Sequence, residues 1–153
     1  MIPMTKARPS SPSARTLADQ LRPVLLRLSR ELRREAQSLG VTGGQVSLLI
    51  QIKRHPGITA SELAGHERMS APGMSGHIAR LETAGLIERT RAADRRRIGL
   101  SATAEGEAIL ASVKRRRTAW LADHLNGLTD DERNAISAAL PALEKLLEAA
   151  PTQ

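Results

Sequence analysis

At Gly85 the chain changes period, and few folds can use what lies on either side of that point. Upstream, Ser70 stands as a helix N-cap, Pro72 falls in the first turn where its missing N–H costs nothing, and Met74, Ile78 and Leu81 recur at helical spacing. Downstream, Leu86 to Thr90 and Arg97 to Ser101 read as two strands around a tight charged loop, Arg91 to Arg96. The helix buries one stripe and turns Pro72, Ser75, Gly76, Ala79 and Arg80 the other way, so its outer face is mostly small. A short helix with a small outer face, followed at once by a hairpin with a basic tip, is a specific combination.

The segments before and after are punctuated helices. Leu17, Leu21, Val24, Leu25, Leu28 and Leu32 share one helical face, Pro23 predicts a kink or a late start, and Leu39-Gly40 closes this first helix. Thr42 with Gln45 and Thr59 with Glu62 have capping-box spacing, opening a second helix to about Arg54 and a short third to about Gly65. Thr103 caps a fifth helix, whose expected stripe is Ile109, Val113, Trp120 and His124, and Asn126-Gly127 ends it. Thr129 with Glu132 opens a sixth, carrying Ile136, Leu140, Leu143 and Leu147, with a bend expected at Pro141. Met1 to Ser13 is rich in Pro and Ser and reads as a disordered tail, neither signal peptide nor anchor.

Composition narrows the function. One Trp, no Phe and no Tyr among 153 residues leave no aromatic platform for stacking RNA bases. The absence of Cys removes disulfides, thiolate metal sites and thiol nucleophiles, and makes a reducing cytoplasm the natural setting. No apolar run approaches the roughly 18 residues a bilayer requires. The net charge of +7 favours a polyanionic partner, and it is localised: five arginines against two acids lie between residues 86 and 102.

Together these elements describe a mainly α fold, a winged helix-turn-helix with a small β-hairpin wing. The B-DNA major groove admits one helix, and small residues such as Gly76 and Ala79 let its backbone approach the base edges. Ser75 and Arg80 would donate to bases or phosphates, while an arginine-tipped hairpin suits the narrower minor groove. The expected DNA-facing set is Ser70, Ala71, Pro72, Ser75, Gly76, His77 and Arg80 on the helix, with Arg91, Asp94, Arg95, Arg96 and Arg97 on the wing, where Asp94 is placed to orient Arg96.

The run Leu81-Glu-Thr-Ala-Gly85-Leu-Ile-Glu-Arg, followed by Asp94-Arg-Arg96 and Thr103-Ala-Glu-Gly106, resembles the wing signature of the multiple antibiotic resistance regulator (MarR) family of bacterial winged-helix transcription factors. The likeness extends from Leu17 to about Leu147. Ala102 stands where the family usually has Leu, and Gly76 where many relatives carry a larger residue. The resemblance implies a homodimer in which the first, fifth and sixth helices of two chains interleave, with Leu17, Leu21, Leu28, Trp120, Leu140, Leu143 and Leu147 at the interface. The uncovered apolar stripes agree, since a winged core alone could not bury them. The resulting division is a tail over 1–14, dimerisation helices over 15–40 and 103–150, and a DNA-binding winged helix-turn-helix over 41–102. It further implies a double-stranded, pseudo-palindromic operator, repression in place of activation, and release by a small lipophilic or phenolic anion, with His124 and Trp120 as pocket residues.

Blander readings compete at several positions. Lys114 to Arg117 span most of a helix circumference and are expected to be a solvated face. His124 beside Trp120 is read first as a satisfied core histidine. His55 and His66 fall in predicted turns, no His has a partner at metal-ligand spacing, and His77 serves phosphate contact or packing equally well. No nucleophile elbow or phosphate loop is present, so neither an enzyme nor a cofactor is expected. A ligand-independent DNA organiser and a winged-helix adaptor for protein contacts remain the alternatives.

Overall fold

A computed structural model describes residues 10–148. The expected tail before Ser10 and residues 149–150 of the expected C-terminal unit lie outside that range. Helix α1 (Ala14–Gln37) starts at the Ser13 cap, whose hydroxyl accepts from the Thr16 N–H at 3.2 Å, so the expected tail already ends there. The helix then passes through Pro23, which rules out the late start. Proline removes only the N–H that would meet the Asp19 carbonyl, and Asp19 is exposed, where solvent can take up that acceptor.

Three capping boxes set three of the following helix starts. In α2 (Gly43–Arg54), α3 (Ala60–His66) and α6 (Asp130–Glu148), the cap threonine (Thr42, Thr59 or Thr129) and the third helical residue (Gln45, Glu62 or Glu132) exchange side chain to backbone hydrogen bonds of 2.8–3.2 Å. Between α2 and α3 lies β1 (Ile58–Thr59), which joins β2 (Ile87–Arg91) and β3 (Ile98–Ala102) in an antiparallel sheet ordered β1-β3-β2. The wing is therefore the outer part of a three-stranded sheet and not a free hairpin. Ile58 sits opposite Leu100, and both wing strands begin one residue later than their sequence pattern suggests.

The core lies between α2, α3, α4 (Ala71–Thr83), the sheet and the start of α5 (Ala104–Asn126). Leu49, Ile52, Leu63, Met74, Leu81, Leu100 and Val113 are its largest fully buried side chains. The expected stripe on α5 is corrected: the inward residues are Gly106, Leu110 and Val113, at spacings of four and seven, while Ile109 is half-buried and His124 exposed. Gly106 explains the rotation. A Cβ there would lie 2.1 Å from the Leu86 carbonyl oxygen, so the helix seats at van der Waals contact on the end of the α4 turn. Gly99 does the same between strands, where a Cβ would stand 2.4 Å from the Gly57 carbonyl oxygen.

Gly106→Ala should therefore cost about 1–3 kcal/mol through forced backbone movement. Gly65→Ala, in a short helix with open space around the glycine, should be neutral or stabilise by about 0.5–1 kcal/mol. Urea titration of the two variants gives both signs in one assay.

Candidate nucleic-acid interface

Helix α4 presents the expected face. Ser70 caps it by accepting from the Gly73 N–H at 3.3 Å, and Ala71, Pro72, Ser75, Gly76 and Arg80 are all exposed, with His77 half-buried beside them. Nothing lies within 4 Å of where a Gly76 Cβ would be, so the glycine leaves this face open and close to the backbone. The helix ends in a Schellman motif: the Leu86 N–H donates to the Leu81 carbonyl at 3.0 Å, the Gly85 N–H to Glu82 at 2.9 Å, and Gly85 takes φ +74°.

The wing arginines divide into anchored and free. Arg89 grips Glu82 with Nε and Nη2 at 2.9–3.2 Å, tying the last turn of α4 to β2. Arg97 lies 3.9 Å from Glu62 of α3. Arg91, Arg95 and Arg96 have no ion-pair partner among the described residues and are exposed at the tip. Asp94 acts on Arg96 through the backbone: its Oδ1 accepts from the backbone N–H of Arg96 at 3.2 Å, and its carbonyl accepts from Arg97 N–H at 2.9 Å. It fixes the turn from which Arg96 projects, and does not hold the guanidinium itself.

Glu62 has a displaced acidity. The backbone N–H of Thr59 holds its carboxyl below the ordinary value of 4.5, with smaller help from the Thr59 hydroxyl, Arg97 and His66 against a desolvation effect that raises it. A carboxylate depressed in the fold stabilises it at neutral pH, and that contribution fades as pH falls through the acidic range.

Elsewhere the structure revises the sequence reading. Lys114 to Arg117 are not merely solvated: Arg116 donates to the Ser38 hydroxyl and Arg117 Nε to the Leu32 carbonyl at 3.0 Å, pinning α5 to α1. His66 closes α3 instead of lying in a turn, and its ring meets that of His55 edge-on at 5.5 Å. His124 is not a core residue. It is exposed, stacks on Trp120 at 3.9 Å, and shares with Val24, Arg27, Leu28 and Glu31 a groove of about 440 Å³. Among the described residues no group of three or more potential ligands is placed to hold a metal ion, and no helix is long and apolar enough to cross a membrane. The sequence reading missed the Glu82–Arg89 clamp, because the two residues are neighbours only once the Gly85 turn reverses the chain.

Comparison with known proteins agrees with this geometry. A model of the MarR family matches residues 39–98, from the end of α1 to the return strand of the wing. The chain is 31% identical over 136 residues to an HTH-type transcriptional regulator of Mycobacterium bovis, covering 88% of this chain and 95% of that one. It is 32% identical over 133 residues to the HTH-type transcriptional repressor MdtR of Bacillus subtilis, covering 86% and 84%. The crystal structure of a transcriptional regulator from Pseudomonas aeruginosa superposes with a TM-score of 0.76 at 36% identity, covering 87% and 95%. The chain thus belongs to the MarR family of winged-helix DNA-binding transcription regulators, which are not enzymes.

Proposed function

We propose that the protein is a homodimeric repressor that reads a pseudo-palindromic operator and is released by a small lipophilic anion. The observation that carries the reading is that the outer face of α4 and the free wing arginines are all exposed, with α4 and β2 tied together by the Glu82–Arg89 clamp. Residues 41–102 form the reading unit in this view, with Ser70 to Arg80 in the major groove and Arg91 to Arg97 along the flanking minor groove.

Dimerisation rests on what one chain leaves uncovered. Leu17, Val24, Leu25 and Leu28 on α1 are 40–53% exposed, as are Ile136 and Leu140 on α6 at 45% and 51%, and Leu147 reaches 80%. Helix α6 buries no residue at all within its chain. Leu21, Leu143 and Trp120 are half-buried at the edges of the same surfaces. Apolar area on that scale calls for a symmetric partner, with residues 15–40 and 103–150 supplying the interface. Half-site centres would then lie roughly 10 bp apart.

An effector has a suitable place in the cleft of about 630 Å³ between α2 and α5. Val46, Ile50, Leu110 and Val113 form its apolar floor, and Lys53, Arg54, Lys114 and Arg117 its cationic rim. An apolar floor under several cations suits a lipophilic anion better than the groove at Trp120 and His124, where Glu31 offsets Arg27.

Sedimentation should show a dimer at micromolar concentration, and footprinting should show one protected palindrome. A folded monomer would overturn the interleaved reading; diffuse protection would indicate a DNA organiser, and no protection an adaptor.

Variants separate the two DNA-facing elements. Arg96→Ala should cost about 1–3 kcal/mol of binding, most of it at operators with A·T-rich flanks, whereas Ser75→Ala should shift preference at one or two half-site positions. Asp94→Ala removes a negative charge yet should weaken binding, because the turn that projects Arg96 loses its acceptor. Titration against matched operators would reveal tighter binding by Asp94→Ala if the wing were only a generic basic hairpin.

A further inference from the structure

Among the described residues four take φ in the left-handed region: Gly40, Gly57, Gly85 and Arg68. Three are the residue that tolerates it; the fourth is an arginine at φ +51°. Its setting makes the exception informative, because α3 and α4 close with the same hydrogen-bond pattern. At the end of α4, Leu86 N–H reaches back five residues to Leu81 and Gly85 N–H three residues to Glu82. At the end of α3, Met69 N–H reaches Ala64 at 2.9 Å and Arg68 N–H reaches Gly65 at 3.3 Å. The residue following the cap is Gly85 in one motif and Arg68 in the other.

The backbone gains nothing from arginine at that position. A left-handed conformation brings the Cβ of an L-residue against its own backbone, and glycine would make the same two hydrogen bonds without that strain. The side chain does not compensate within the fold. Arg68 is exposed, and among the described residues it has neither an ion pair nor a side-chain hydrogen bond. The hydrophobic contact that accompanies such a turn comes from the next residue, Met69, which packs against the core. What remains is position: Arg68 lies two residues ahead of the Ser70 cap, so its Cα stands within about 7 Å of the start of α4. A guanidinium there reaches the sugar-phosphate strand beside a groove entered by that helix.

We propose that Arg68 is a phosphate-contacting residue of the DNA interface, one on each subunit, held in a strained conformation for binding and not for folding. The inference rests on the proposed placement of α4 in the major groove. It assigns a sequence-independent contact, outside both the recognition face and the wing.

Arg68→Gly and Arg68→Lys test it in the full-length protein, with thermal unfolding and with binding to a random-sequence DNA duplex over a range of salt. Arg68→Gly should raise the melting temperature by about 2–4 °C, and weaken binding roughly tenfold near physiological salt. Its plot of log affinity against log salt should flatten by about 1.8, two phosphates at about 0.9 each. Arg68→Lys keeps the charge and the strain, so its melting temperature and salt slope should stay near those of the parent. Arg68→Gly with unchanged affinity and slope would overturn the phosphate contact, and a lowered melting temperature would overturn the strain. A parent protein that binds duplex with no salt dependence would instead remove the placement of α4 on which the inference depends.

Discussion

The architecture depends on one crowded junction, where Thr103 meets the turn after α4. Its hydroxyl donates to the Gly85 carbonyl at 2.6 Å and accepts from the Gly106 N–H at 3.0 Å, while its own N–H donates to Leu86 at 3.1 Å. Three elements are fixed at that point: the end of α4, the start of β2 and the first turn of α5. A residue at 85 without access to positive φ, or any side chain at 106, would separate them. The recognition helix, the wing and the long helix α5 thus share one origin, and their mutual angles follow from backbone contact, which is far stiffer than side-chain packing.

The same economy sorts the arginines. Those that bridge one element to another are spent on structure: Arg89 on Glu82, Arg97 near Glu62, and Arg117 on the Leu32 carbonyl. Arginine suits these bridges because its planar fork can serve two acceptors at once, as Arg89 does with both Glu82 oxygens. The exposed pairs contribute little to stability individually. Their value lies in direction, since a bidentate bond fixes the angle between α4 and β2. Those left over at the wing tip and on α4 keep their charge available to a polyanion.

Much of this was legible in the sequence where the signal is local. Each helix start carries a Ser or Thr cap, often with its Gln or Glu partner, and all but Ser13 of α1 were read as such; the Gly85 period change located the wing to within one residue. Where contacts are distant in sequence the reading failed. Strand β1 is two residues long and doubles as the cap of α3, so it carries no alternation to detect. The inward face of α5 was misplaced because it is set by Gly106 against Leu86, a contact invisible to periodicity. Spacing placed Asp94 to orient Arg96 without naming the atom, since spacing cannot distinguish a backbone N–H from a guanidinium; the bond runs to the backbone N–H.

Helix α5 carries the small winged core on a long exposed extension. Its buried residues, Gly106, Leu110 and Val113, all fall in the first half, and beyond Val113 none is buried. At 1.5 Å per residue its 23 residues span about 35 Å, close to one turn of B-DNA. The N-terminal half belongs to the winged body, and the rest is a lever with an exposed flank, leading into the unburied α6. Arg116 and Arg117 stand at the changeover and fasten it to α1 through Ser38 and Leu32. Any partner that packs on the outer half of this rigid rod therefore sets the orientation of the Thr103 junction, and with it the direction of α4 and the wing. Under the proposed effector reading, a molecule wedged in the cleft between α2 and α5 would act on the same lever from the other side, next to the Arg117 fastening.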